Sequence, residues 1–491
     1  MSRHSLFSRI AIAAAVAGGL SGAQNPVQAQ SGPSLVDQNL QVRVVASGLL
    51  QPTTLAFIGA SDLLVLEKAS GRVIRISPSL PPQPVLDLAV NSASERGLLG
   101  IALHPNFPAT PHVFLYWTES TTLSDSTVLS DTPLLGNRVD RYVWNGSSLV
   151  FAANLIRLRA IQQDVTNGVE RGNHDGGVIR VGPDGKLYVF VGDLGRRGHM
   201  QNLRCGPATI FNCPPNTPTP DDQFPDFGPA PDDEHLSGVV LRLNLDGTAP
   251  SDNPFFAAGA SIPGEVGANI QKVFSYGHRN SFGMAFDPEG GGLWLQENGD
   301  DSFSELNLVT RGMNGGWVQI MGPASRLAQF REIETTFGAQ NLQQLRWAPT
   351  NIATLPGEAL SRLFTLPNSH YEDPAFSWKW EVAPGGIGFV RGRALGPQYD
   401  GDLVVGAGTP ILEGGYLFRF NLTGNRRKVG VDDPRLDDRV ADNLAKHEIT
   451  ESESLLFGRN FGVTTDVQTG PNGNLFVVSL TNGAIYEISR R

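Results

Sequence analysis

The stretch GPDGKLYVFVGD, residues 182–193, decides the fold. Gly182, Pro183, Asp184 and Gly185 make a turn, Leu187 to Val191 form an unbroken apolar run, and Gly192-Asp193 turns the chain again. Such a run is too short for a helix, and its aromatic and β-branched residues suit a buried strand. The phrase recurs as DLLVLEKASGRVIRI from Asp62, PHVFLYW from Pro111, GGLWLQENG from Gly291, GDLVVGAG from Gly401 and GPNGNLFVVSLTNGAIYEI from Gly470. Six copies over the chain after residue 29 give a mean period of about 77 residues, room for four strands rather than one hairpin. The expectation is an all-β, six-bladed β-propeller of four-stranded antiparallel blades with loop insertions, the most obvious one at about 197–233.

Working outward, 56 glycines and 34 prolines agree with many short strands joined by turns. Val42–Val45 should pair beside the final strand, Ile485–Ile488, closing the ring and removing exposed edges. Residues 325–363 lack glycine-rich turns except at Phe337-Gly338 and are expected to hold one or two short helices.

At the N-terminus, Arg3 and Arg9 precede an apolar run from Ile10 to Leu20, and Val27-Gln28-Ala29 makes a small-residue cleavage site. That layout is a secretory signal peptide over 1–29, the run being shorter than the roughly 20 residues of a membrane span. The expectation is one propeller domain over 30–491, periplasmic or secreted, with no membrane span in the mature chain. Losing two arginines and no acids with that segment takes the net charge from -10 to -12. An acidic chain lacks the basic footprint that nucleic acid requires. Cys205 and Cys213, close together in an exported chain, are expected to form one local disulfide, unpaired surface thiols being the alternative.

Several site types are absent: no G-x-S-x-G elbow, no G-x-G-x-x-G after a strand and no H-E-x-x-H. Three segments remain. Asn173-His174-Asp175-Gly176-Gly177 lies just before a blade strand, where a histidine would look toward the central channel. An imidazole titrating near neutrality can take a proton from a sugar hydroxyl, although a histidine capping a turn has the same spacing. In Tyr276-Gly277-His278-Arg279-Asn280, Arg279 and Asn280 could clamp a carboxylate or quinone, or form an inter-blade salt bridge. Glu297 to Glu305, with Gly315 ten residues on, offers carboxylates and loop carbonyls of the kind Ca²⁺ takes; an acidic surface loop would look the same. The other histidines, including His104 and His447, have no companions that suggest ligation.

Together these segments resemble the glucose/sorbosone dehydrogenase family, six-bladed propellers that bind pyrroloquinoline quinone (PQQ) and Ca²⁺. The resemblance is carried in order by Glu95 to Phe107, His174-Asp175-Gly176-Gly177 leading to Gly192-Asp193, Leu241-Arg242-Leu243-Asn244 with Asp252-Asn253-Pro254-Phe255, and Gly277-His278-Arg279-Asn280 with Glu297 to Trp317. It implies His174 as the general base acting on an anomeric hydroxyl. It also implies Glu95, Asn173, Arg279 and Asn280 around PQQ, Gly299 and Asp300 carbonyls on the cofactor's Ca²⁺, and Glu305 with the Gly315 carbonyl on a structural Ca²⁺.

The departures come late. Where PQQ-using members present Arg-x-Arg-Asp-Val, this chain has Val463-Thr464-Thr465-Asp466-Val467, and no lysine follows the strand Leu403-Val404-Val405. Fewer cationic partners should weaken the hold on a tricarboxylate. Three functions follow: a PQQ- and Ca²⁺-dependent aldose dehydrogenase passing electrons from a sugar to an unidentified acceptor; a non-catalytic carbohydrate- or protein-binding propeller; and a Ca²⁺-dependent lactonase-like hydrolase.

Overall fold

The computed structural model describes residues 32–161, 172–195, 236–336 and 352–491. The expected signal peptide at 1–29, the cysteine pair Cys205 and Cys213, and the 197–233 insertion lie outside the described residues.

The described strands assemble into six sheets, each with four antiparallel strands in hairpin sequence. The first takes Pro52–Phe57, Leu63–Glu67, Arg72–Ser77 and Leu80–Asp87, and the second Leu98–Leu103, His112–Thr118, Asn137–Trp144 and Leu149–Leu158. Ile179–Val181, Leu187–Val191, Val239–Leu243 and Val273–Tyr276 make the third; Met284–Phe286, Leu293–Glu297, Ser302–Val309 and Phe376–Trp380 make the fourth. The fifth holds Pro384–Phe389, Leu403–Ala407, Tyr416–Thr423 and Leu456–Arg459, and the sixth Thr464–Thr469, Leu475–Ser479, Ala484–Arg490 and, from the other end of the chain, Leu40–Ala46. This is an all-β propeller with four-stranded antiparallel blades.

Every copy of the repeated phrase is the second strand of one sheet. Leu187–Val191, Leu293–Glu297, Leu403–Ala407 and Leu475–Ser479 are buried at every position. Successive side chains point to opposite faces, so each strand feeds two cores. Leu187, Val189 and Val191 pack against the second sheet while Tyr188 and Phe190 pack against the fourth. Leu475 and Val477 face the fifth sheet, and Phe476 and Val478 face the first. The apolar run has no polar face because neither side of it meets water.

The ends of the chain close the ring as expected: Val42 pairs with Ile488 and Val44 with Tyr486. Short helices do occupy the glycine-poor region, at Leu327–Thr336 and Pro356–Arg362, and their Phe330, Ile333 and Ala359 pack on Trp317 and Met321. Two further short helices, Phe256–Ala260 and Gly264–Ile270, arise in a segment with no strong helical periodicity. No helix among the described residues is long and apolar enough to cross a membrane.

Near the axis the first strands of neighbouring sheets approach backbone to backbone. A Cβ on Gly100 would lie 2.2 Å from the Gly177 carbonyl oxygen, and one on Gly388 would lie 1.9 Å from that of Val467. Arg180 and Asp466, on innermost strands of the third and sixth sheets, meet at 2.7 Å.

Candidate functional site

The innermost strands of the first, second, third and fifth sheets are preceded by non-glycine residues with positive φ: Gln51, Ser94, His174 and Ala383. At His174 φ is 61°, a conformation that costs free energy and persists only where neighbours enforce it. The enforcement is visible. The His174 N–H donates to Glu95 Oε2 at 2.7 Å, and its carbonyl accepts from the Leu194 N–H at 3.3 Å. That carbonyl also lies 2.2 Å from where a Cβ on Gly192 would stand, so the hairpin needs glycine there.

The ring of His174 is buried, with Nδ1 2.5 Å from Asp193 Oδ1. Burial pushes the Asp193 carboxyl up, but the His174 charge and hydrogen bond, Arg279 and the Trp317 N–H outweigh it and hold the group below its usual value. An ionised Asp193 can accept a hydrogen bond from Nδ1–H, the tautomer in which Nε2 is the basic nitrogen. Asp193 is itself fixed, taking the Gly195 N–H at 2.8 Å and Trp317 Nε1–H at 3.0 Å.

Glu95 joins two sheets, since Oε2 also accepts from Asn280 Nδ2 at 3.0 Å. Asn280 Oδ1 is buried with no hydrogen-bond partner among the described residues. Asn173 is half-buried and presses its carboxamide toward Gly195. Arg279 reaches inward: Nη1 donates to the Asn298 carbonyl at 2.9 Å, Nη2 donates to Asp300 Oδ1 at 2.8 Å, and the guanidinium lies 5.6 Å from the Trp317 ring centre. Arg279 is ion-paired with Asp300 of the fourth sheet, both partners being almost fully buried. Burial raises the Asp300 carboxyl above its ordinary value, Arg279 opposing and Asp301 adding to the rise.

The acidic segment is not a surface loop. Glu297, Asp300, Asp301 and Glu305 are all buried. Glu297 and Glu305 stand opposite each other on paired strands, and burial with the Glu297 charge drives Glu305 well up. Glu305 Oε1 takes the Gly322 N–H and Oε2 takes Asn307 Nδ2–H at 2.9 Å, while Gly315 packs its backbone beside Gly277 and His278. No direct bond joins Glu305 to Gly315 among the contacts described, and no three His, Cys, Asp or Glu side chains of the described residues converge as a metal cluster.

Three participants were not singled out in the sequence. Asp193 could have been found by extending the Ile179↔Val189 hairpin register, which sets it opposite Asp175, the neighbour of His174. Trp317 and Lys446 carried no such signal. Lys446 hydrogen-bonds Asp301 Oδ1 and lies 3.4 Å from the Asp300 carbonyl oxygen. Its neighbour His447, read as a bystander, donates its backbone N–H to the Glu381 carbonyl at 2.7 Å.

A family model described as glucose/sorbosone dehydrogenase matches residues 49–363. Quinoprotein glucose dehydrogenase B of Acinetobacter calcoaceticus is 26% identical over 414 residues, covering 78% of this chain and 78% of that protein. Aldose sugar dehydrogenase YliI of Escherichia coli strain K12 is 24% identical over 457 residues, covering 92% and 93%. Among solved structures, the soluble aldose sugar dehydrogenase of Escherichia coli in its apo-form superposes with a TM-score of 0.59 at 22% identity, covering 92% of this chain and 100% of that one. The PQQ-bound aldose sugar dehydrogenase from Streptomyces coelicolor gives 0.53 at 22% identity, covering 92% and 98%. At those identities the likeness to solved structures speaks for the fold.

Proposed function

This chain belongs to the glucose/sorbosone dehydrogenase family, and we propose that it oxidises an aldose at the anomeric carbon to the lactone, with His174 as general base. The observation that carries the reading is the His174–Asp193 pair at the start of an innermost strand. We assign one propeller domain over 30–491 with six blades, one per sheet, in a periplasmic or secreted protein.

His174 Nε2 would take the proton of the anomeric hydroxyl as hydride leaves the same carbon. Asp193 holds the ring in the tautomer that keeps Nε2 basic and stabilises the imidazolium that forms. Trp317 and the Gly195 N–H keep Asp193 from rotating away. Glu95 fixes the strained backbone of His174 and the amide of Asn280 with one oxygen.

PQQ would supply the two-electron acceptor for the hydride when bound. Asn280, whose Oδ1 is a buried acceptor with no partner among the described residues, Arg279, Glu95 and Asn173 are the residues that would hold it. Calcium fits less well. The Asp300 carbonyl that would ligate it already faces the Lys446 ammonium, and both Glu305 oxygens accept N–H groups, so no step is drawn through a metal.

Purified protein given PQQ, a panel of aldoses and a dye acceptor tests the reading. Dye reduction that disappears in His174→Gln supports it, and no reduction with any sugar sinks it. A second reading, a non-catalytic propeller binding carbohydrate or a protein partner, is favoured by one observation: Arg279 is already paired with Asp300. Calorimetric titration showing sugar binding without PQQ binding would select it.

A further inference from the structure

We propose that Lys446 is a built-in cation standing where a divalent ion would otherwise sit, so that the channel takes its cofactor without calcium. The inference rests on the cofactor reading above for its consequence, though not for the placement of the lysine.

The placement starts with the loop. Val440–Ala441 adds a parallel strand to the outer edge of the fourth sheet, pairing Ser377 and Trp378. The chain then turns back across that sheet, and Asn443 clamps the turn. Its Oδ1 accepts the Trp380 N–H at 2.8 Å, and its Nδ2 donates to the carbonyls of Trp380 at 3.1 Å and Glu448 at 2.9 Å. Glu448 Oε2 takes the Leu444 N–H at 2.7 Å, and the His447 N–H reaches the Glu381 carbonyl. A loop tied at so many backbone groups delivers Lys446 to a defined place, and its ammonium there meets Asp301 Oδ1 and the Asp300 carbonyl.

Those oxygens are what a hard cation seeks. The cluster around them holds the carboxylates of Asp300, Asp301, Glu334 and Glu381, all buried, against the two cations Arg279 and Lys446. Asp300 Oδ2 and Asp301 Oδ2 are buried without hydrogen-bond partners among the described residues. A divalent ion at the Asp300 carbonyl would therefore meet an ammonium already in place, and like charges at contact distance in a desolvated site repel strongly. Remove the ammonium and the same oxygens become a vacant, net-negative donor set. The lysine thus keeps calcium out while supplying positive charge beside the loop that approaches Arg279.

The test uses chelator-treated full-length protein, wild type beside Lys446→Ala and Lys446→Met, the second keeping most of the aliphatic stem. Calcium titration by calorimetry, without PQQ, should show the neutral variants binding one more Ca²⁺ than wild type. PQQ affinity, followed by fluorescence quenching, should be indifferent to chelator in wild type. In the variants it should fall about tenfold in chelator, as expected for a nearby positive charge removed, and recover on adding Ca²⁺. Variants that gain no Ca²⁺, or a wild type whose PQQ affinity collapses in chelator, would overturn the proposal. Absence of PQQ binding in every protein and buffer would instead defeat the cofactor reading, with the calcium titration still deciding the role of Lys446.

Discussion

The two halves of the ring solve the crowding at the axis in opposite ways. Where the second, third and fourth sheets begin, the chain places Glu95, His174, Asp193, Arg279 and Asn280; Glu95 binds His174 and Asn280, Asp193 binds His174, and Arg279 binds the Asn298 carbonyl and Asp300. Where the fifth and sixth begin, it places Gly385, Gly386 and Gly388 against Thr464, Asp466 and Val467, backbone to backbone, with hypothetical Cβ distances of 2.1, 2.4 and 1.9 Å. The first, open half adds a network of buried charged side chains to its own backbone approach of Gly100 to Gly177; the second, closed half relies on close backbone approach, with Asp466 bonded to Arg180. The arginines missing from 463–467 belong to the closed half, while Lys446 reaches Asp301 over the fourth sheet. The difference suggests that chemistry and closure have been divided between the two sides.

Breaking the open half should abolish chemistry and spare the fold. His174→Gln is expected to lower sugar oxidation by roughly 10²–10⁴-fold, the usual worth of a positioned base, with the thermal midpoint little changed. A variant that keeps its rate would remove His174 from the reaction. Breaking the closed half should do the reverse. Gly388→Ala puts a methyl group into the Val467 carbonyl and is expected to cost about 3 kcal/mol of stability, measured by urea unfolding, while the remaining folded protein still binds PQQ. An unfolding curve that overlays wild type would mean the strands can part there at no cost.

A finer test lies in the open half at Asp175, whose carboxyl burial pushes up to about 7, Arg96 and the Asn137 amide opposing. The sign follows from linkage. A buried carboxyl raised above its unfolded value of 3.8 holds its proton in the folded chain after the unfolded chain has lost it. Its contribution to stability is therefore complete below about pH 4 and is lost as pH rises through about 7. Asp175→Asn removes that slope, so the stability advantage of wild type over the variant should shrink from pH 4 to pH 7. Parallel curves would place the titration elsewhere. The smallest effect is expected at the ring closure, where Arg43 pairs with Glu487 across the joined termini but leaves its side chain 67% exposed. Arg43→Ala should cost no more than about 1 kcal/mol, because exposed ion pairs contribute little; a larger loss would mean the seam depends on charge as well as on its apolar cores.

Much of the blade architecture was legible because it is written locally. Each second strand, such as Leu475–Ser479, is apolar throughout, for it is the layer with a core on both sides. The closing pair, Val42 with Ile488, was legible because exposed edges at the two termini have few other partners. The candidate site was legible only in part. His174, Arg279 and Asn280 advertised themselves by residue type and position. The side chains that govern them did not: Asp193 was quoted as part of a turn, and Asp300 was valued for its carbonyl, whereas its carboxylate takes Arg279.

By itself, then, the sequence determined one strand of each sheet, the burial of that strand, and which histidine stands just before a strand. Periodicity and turn chemistry act within a few residues, and reading them needs no knowledge of neighbours. Only the tertiary structure decided which distant side chains pair with one another. Arg279 to Asp300, Trp317 to Asp193, and Lys446 to Asp301 depend on how sheets pack and where a loop 145 residues downstream is tied down. The energy of a buried charge depends on what lies within a few ångströms of it, and that distance is a property of the packed fold.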